Sequence, residues 1–402
     1  MKVPLASSGL RDSDIEKVLA VLRSGNLTMG EEVKNFERKM ATYLGVNHFI
    51  MVNSGSSANL LIIEALLRPT RSKPRLYPGD SILVPAVAWP TTIWPLVQLG
   101  LNPLFVDIDP NTLALDLNAA QLLIDTSNIP VTGLFPIHPL GKAIPPSELS
   151  KFAKKNDLIL INDVCESLGS WSEGIHAGTA GIAGSFSFYF SHHITTMEGG
   201  GISTDDNEFA DDLRSMRSHG WSRDRSDVAT WTARRDTNDS RFLFVSTGYN
   251  VRPMEIQAAI GSNQIESIDS FVIRRREIAK KVAASISTGS LYIIGADSLA
   301  HDELSHSWML IPLLVEGANA PERRSLIVRK LEEMEIETRP ILTGNFLSQP
   351  AIQRITRHAV NPSQFSVATK ITNEAFMVGA HHDLTNDQVK YLCECLKSVS
   401  KI

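Results

Sequence analysis

Apolar residues recur at intervals of three and four near the start of the chain. Ile15, Val18, Leu19 and Leu22 follow a capping pair of Ser13 and Glu16 and stop at Gly25; Val33, Phe36, Met40, Tyr43 and Leu44 repeat the spacing up to Gly45. Both predict amphipathic helices. The pattern then switches to short apolar runs at 48–52, 81–84, 104–107, 133–137, 158–161 and 185–190, interleaved with helical stretches such as 57–67. Strands alternating with helices predict an α/β fold with a mainly parallel central sheet covered on both faces. Residues 215–241 are polar and rich in Arg, Ser and Asp, either a solvated excursion or a loop that closes over an anion. Helical spacing returns at 253–268 and 273–285, and a smaller α+β portion follows. The boundary is expected near residue 270, giving a large α/β domain, 1–270, and a small C-terminal α+β domain, 271–402.

No charged residue occurs between Asp80 and Asp107, yet Pro85, Pro90, Pro95 and Pro103 break the run too often for a membrane span. It reads as strand, loop, helix and strand. The chain has 402 residues, enough for two or three domains at roughly 150 each. Its net charge is −5, which offers no basic excess for a nucleic acid. Three cysteines, Cys165, Cys393 and Cys395, form no disulfide framework. With no apolar leader after Met1, a reducing, cytoplasmic setting is expected.

Three places carry chemistry. Asn53-Ser54-Gly55-Ser56-Ser57 lies between an apolar run and a helix; backbone amides there suit a phosphate, although serine also serves as a plain helix cap. Asp163 ends the run 158–161, where open α/β sheets bind ligands; it is a turn residue or the partner of a protonated cofactor ring nitrogen, with Glu166 three residues on. The third is 185–201, Ser-Phe-Ser-Phe-Tyr-Phe-Ser-His-His-Ile-Thr-Thr-Met-Glu-Gly-Gly-Gly.

Together these segments resemble the sugar aminotransferase family, fold-type I pyridoxal phosphate enzymes that act on nucleotide-linked keto-sugars. Gly79-Asp80, Pro90-Thr91-Thr92, 105–108, 248–252 and 255–259 look like further family signatures, so the resemblance spans most of the chain. One position departs. The family's Schiff-base lysine stands six residues before the glutamate of the Glu-Gly-Gly turn, and six before Glu198 is His192. Imidazole forms no such bond but moves protons near neutral pH. In this the chain resembles the deoxysugar 3-dehydratase branch, where histidine replaces the lysine. That likeness implies a non-covalently held pyridoxal or pyridoxamine 5'-phosphate and His192 as base. It further implies loss of the C3 hydroxyl from a nucleotide-linked 4-keto-6-deoxyhexose, with glutamate as amino donor. One thiol near the site, Cys165, cannot hold the iron–sulfur cluster some relatives use. The likeness is thus to the cluster-independent kind acting on GDP-4-keto-6-deoxymannose.

By the same resemblance, Gly55, Ser56, Ser57 and Ser187 bind the cofactor phosphate, joined by Asn250 from a second subunit, so a homodimer is implied. Trp89 stacks on the ring, Asp163 pairs with its nitrogen and Glu166 approaches its hydroxyl side. His219, Arg252 and Arg339 are candidates for the donor carboxylate or nucleotide phosphates, or are ordinary ion-pairing residues; His193 is structural. No metal is implied. Two other readings stay open: a true aminotransferase, which leaves the amine on the sugar, and a non-catalytic relative that only binds nucleotide sugar.

Overall fold

The computed structural model describes residues 1–70, 75–233, 240–355 and 361–402. Five central strands form where the apolar runs stood: β1 (His48–Val52), β2 (Ser81–Pro85), β3 (Asn102–Val106), β4 (Val131–Leu134) and β5 (Ile159–Asp163). A two-stranded ribbon follows, β6 (Trp171–Ser172) with β7 (Ile175–His176), and then β8 (Ala183–Ser187) and β9 (Gly200–Thr204). The seven-stranded sheet runs in the order β1-β9-β8-β5-β4-β2-β3. Its pairs are parallel except that β9 lies antiparallel to β1 and β8. The α/β architecture with a mostly parallel sheet is therefore as the alternation predicts. The uncharged run becomes β2, the helix Pro90–Gln98 and β3, with Ile82, Leu83, Val84 and Leu96 fully buried. Among the described residues, no helix is long and apolar enough to cross a membrane.

β9 escapes the hydrophobic pattern because its first half is glycine, and the packing explains why. A Cβ on Gly200 would stand 2.5 Å from the Ser54 carbonyl oxygen, and one on Gly201 would collide with the Phe49 ring. Glycine lets the reversed strand run directly beneath the start of the helix Gly55–Leu67.

The first helix, Asp12–Ser24, departs in part from its expected face. Ile15 and Leu22 are 48% and 52% exposed, while Asp14 is fully buried. Asp14 accepts hydrogen bonds from Asn263 Nδ2 at 2.7 Å and Gln264 Nε2 at 3.0 Å, and from the Arg11 amide, so Arg11 rather than Ser13 occupies the cap. A buried carboxylate with these donors fixes the docking, so Ile15 and Leu22 turn outward while Val18 and Leu19 stay half-buried. The helices expected at 253–268 and 273–285 appear as Glu255–Gln264, a 3-10 turn Ile265–Ser267 and Ile268–Ile286.

That last helix spans two cores. Phe271 and Val272 pack with the N-terminal helices and β1, whereas Ile278, Ala279, Val282 and Ile286 join a second cluster. The second cluster covers the antiparallel sheet β10 (Leu291–Ile293), β11 (Leu310–Val315), β13 (Ala375–Gly379) and β12 (Thr338–Arg339), in that spatial order. Val3 belongs to it too, bridging to Ile336, so the first residues of the chain pack with its last hundred. In the polar stretch 215–241, residues 234–239 lie outside the described residues. The described part is anchored rather than solvated: buried Arg225 pairs with Asp212 at 2.9 Å and with Asp227 at 2.6 Å.

Candidate active site

The site forms where β5 and β8, paired with Asp163 opposite Ser185, end against the helix Gly55–Leu67. Ser54 Oγ caps that helix by accepting from the Ser57 amide at 3.0 Å. The amides of Gly55 and Ser56 keep no intrahelical acceptor and carry the positive end of the helix dipole. A Cβ on Gly55 would lie 2.7 Å from Ser187 Cβ and 2.9 Å from Cys165 Sγ. Glycine is what allows three segments to converge there, with the free helix amides as a cradle for an anion.

Beside the cradle opens a cavity of about 570 Å³. Gly55, Ser56, Trp89, Asp163, Glu166, Ser187, His192 and Arg339 all line it. Asp163, buried at the end of β5, accepts from Asn59 Nδ2 at 2.8 Å and Thr92 Oγ1 at 2.7 Å, both on Oδ2, and from the Cys165 amide at 3.1 Å on Oδ1. These donors fix the direction in which the carboxylate points. Glu166 accepts from the Leu140 amide at 2.9 Å. Burial nevertheless pushes its carboxyl up to about 7, with the Asp163 charge adding to the effect.

His192 follows β8 in a turn closed by its own amide donating to the Tyr189 carbonyl at 2.9 Å. Burial, and after it the Arg275 charge, lowers its imidazole to about 4, against smaller opposing effects from the Cys165 backbone and Asp163. The ring is therefore neutral at pH 7, and its Nδ1 has no partner among the described residues. His193 is buried, with Nε2 3.3 Å from the Ser307 carbonyl, in the structural role expected of it.

Four candidates stand apart from the lining. Ser57 turns into the helix cap, its Oγ accepting from Ser54 Oγ at 3.0 Å. Asn250, Arg252 and His219 form one exposed group: Arg252 Nε donates to Asn250 Oδ1 at 3.0 Å, Asn250 bridges to Ser218, and His219 adopts φ of 65°. Sequence reasoning also missed residues. Asn59 and Thr92, which aim Asp163, carry no assigned role in the sequence reading, although a lone Asn in the apolar run 58–67 is a legible signal, since a buried amide needs partners. Met309, Leu310 and Met377 enter the lining from the second unit, which no local pattern announces.

A helix amide cradle, a carboxylate at the end of a parallel strand and an imidazole on the same cavity wall are the parts of a fold-type I site for a phosphorylated, ring-nitrogen cofactor. The chain belongs to the DegT/DnrJ/EryC1/StrS aminotransferase family, which it matches over residues 9–397. It is 36% identical over 396 residues to the GDP-4-keto-6-deoxy-D-mannose 3-dehydratase of Yersinia pseudotuberculosis, covering 98% of each chain. To the protein of the same name from Escherichia coli it is 37% identical, covering 98% of this chain and 99% of that one. Among solved structures it is similar to GDP-4-keto-6-deoxymannose-3-dehydratase with a trapped PLP-glutamate geminal diamine, at a TM-score of 0.87 and 35% identity, over 98% of this chain and 100% of that one.

Proposed function

We propose that this chain is a pyridoxal/pyridoxamine phosphate-dependent 3-dehydratase acting on GDP-4-keto-6-deoxymannose, with glutamate as amino donor. The expected product is the 4-keto-3,6-dideoxysugar. The observation that carries the reading is the lining of the cavity: where the amide cradle, Asp163 and Ser187 meet, the proton-transfer group is the imidazole of His192, and no lysine stands among the described lining residues. The relatives so named, alike along nearly their whole length, support the substrate.

The residues present fit the cofactor. The free amides of Gly55 and Ser56 beside the Ser187 hydroxyl suit a phosphate, and His192, on the same cavity wall, keeps a buried Nδ1 without a partner among the described residues. When bound, pyridoxamine phosphate supplies an amine for the C4 carbonyl and a protonated ring that draws electrons.

The chain supplies the rest. Gly55 and Ser56 amides with the Ser187 hydroxyl hold the phosphate; Asp163, aimed by Asn59 and Thr92, keeps the ring nitrogen protonated. Trp89, half exposed on the cavity wall, packs on the ring face, and Glu166 meets its hydroxyl side. His192, neutral and held by a short turn, accepts a proton at a ring nitrogen and returns it to the departing C3 hydroxyl, so that water leaves. An imidazole cannot bond covalently to the cofactor and so cannot displace the amine onto the sugar as a lysine does, which favours elimination over transfer. Arg339, on the open side, meets an anionic group of the substrate or donor. Asn250, Arg252 and His219, absent from this chain's own lining, complete the site of a second copy in a homodimer.

Incubation with glutamate and GDP-4-keto-6-deoxymannose, followed by mass analysis of the sugar, tests this. Loss of the C3 oxygen supports it. Retention of that oxygen with a new amine makes the protein an aminotransferase, and failure of glutamate to convert bound aldehyde to amine makes it a binding protein.

A further inference from the structure

Behind His192 lies a shell of basic groups that the proposed reaction does not use. Arg275, on the helix Ile268–Ile286, is 1% exposed. Its Nη1 donates to the Met309 carbonyl at 2.9 Å and the Trp308 carbonyl at 3.3 Å, and its Nη2 to the carbonyl of His192 itself at 3.4 Å. One guanidinium thus joins the catalytic turn to the segment leading into β11, from which Met309 reaches the cavity. Arg275, His192, His193, His381 and His382 surround a small void of about 10 Å³, the size of one water molecule. Nδ1 of His192, of His193 and of His382 is buried without a partner among the described residues.

We infer that Arg275 is a positioning residue for His192: it ties the His192 turn to the Trp308 and Met309 backbone and sets a fixed cation against the histidine shell behind that imidazole. The inference rests on His192 being the base of the proposed reaction. The groups facing His192 are Asp163, Cys165 and Glu166 from the turn after β5, Tyr189 from its own loop, and Arg275 from the helix. His193 adjoins it, and His381 and His382 face it from the loop after β13, with Asp383 and Arg11 beyond them. Burial is the largest influence on the four histidines and Arg275 the second, together lowering His192, His381 and His382 to about 4 and His193 well below its ordinary value. Arg275 itself is lowered by burial only to about 10, so it stays charged at neutral pH.

The sign follows directly. A cation disfavours a second charge beside it, so neutralising Arg275 favours imidazolium and moves His192 titration upward, by about one unit for a like-charge neighbour at this range. Histidine-labelled full-length protein, titrated by carbon NMR without substrate, reads this apart from turnover. In Arg275→Gln, which keeps an amide donor for the carbonyls, the His192 midpoint is expected to rise about one unit. The acidic limb of the rate should move with it, and kcat should fall more than KM rises. Arg275→Lys, which keeps the charge, is expected to restore the low midpoint. An unchanged His192 midpoint in Arg275→Gln, or an equal rise in Arg275→Lys, overturns the inference. Should Arg275→Gln not fold, the unmodified protein decides: His193, His381 and His382 face the same cation, and any of them titrating near the ordinary value of about 6.5 overturns it. Failure of the dehydratase reading shows instead as unaltered sugar from unmodified enzyme, leaving these titrations as they are.

Discussion

Asn59 Nδ2 donates to Asp163 Oδ2 over 2.8 Å, from a helix 104 residues earlier in the chain. Thr92 Oγ1 donates to the same oxygen at 2.7 Å. These two side chains, with the Cys165 amide on Oδ1, set the orientation of the carboxylate. Replacing Asn59 by Leu, or Thr92 by Val, leaves Oδ2 short of a donor. Outer partners of this kind are worth roughly 10–100-fold in affinity by analogy with metal ligands. Cofactor affinity is expected to fall at least tenfold in either variant, read by absorbance titration, while the far-ultraviolet dichroism stays as in the parent.

His192→Lys introduces a primary amine into a site built without one. It is expected to bind the cofactor covalently, giving a borohydride-stable mass increase on the peptide containing residue 192, and to abolish loss of the C3 oxygen. Dehydration persisting at the parent rate in this variant assigns the base to another group.

Gly200→Ala places a methyl 2.5 Å from the Ser54 carbonyl oxygen. Backbone cannot yield there without moving the helix start, so the change is expected to cost about 3 kcal/mol, the upper end for overpacking. Gly174, whose Cβ would meet nothing within 4 Å, has φ of 75° and serves as the comparison for backbone strain alone. Thermal melts should place Gly200→Ala well below Gly174→Ala, and cofactor phosphate affinity should fall only in the former.

Glu166 links stability to pH. Its carboxyl is raised from 4.5 to about 7 by burial, so the folded chain holds a proton there that the unfolded chain has released. Between those two values the native state binds more protons, and stability falls as pH rises through the window. The lowered histidines act oppositely, adding stability as pH rises toward their unfolded value of about 6.5. Subtracting Glu166→Gln from the parent isolates the glutamate: the difference in unfolding free energy, from urea titrations, is expected to shift against the parent between pH 4.5 and 7 and to level off above.

The chain's own order of residues decides the alternation of strand and helix, the uncharged run folding as strand, helix and strand, and the substitution of imidazole for lysine at 192. These are local properties, set by periodicity, breaker spacing and the chemistry of single side chains. Tertiary structure alone decides the rest. Asp14 faces inward and Ile15 outward because a buried carboxylate needs Asn263 and Gln264, 249 and 250 residues away. The glycine-rich β9 is a strand because the start of another helix passes over it. Asn59, Thr92 and Arg275 matter through partners brought close only by the packed sheet and the long helix between the two cores. Hydrophobic periodicity reports which side of an element seeks burial; it carries no information about which distant polar groups meet once that side is buried, and the site is made of such meetings.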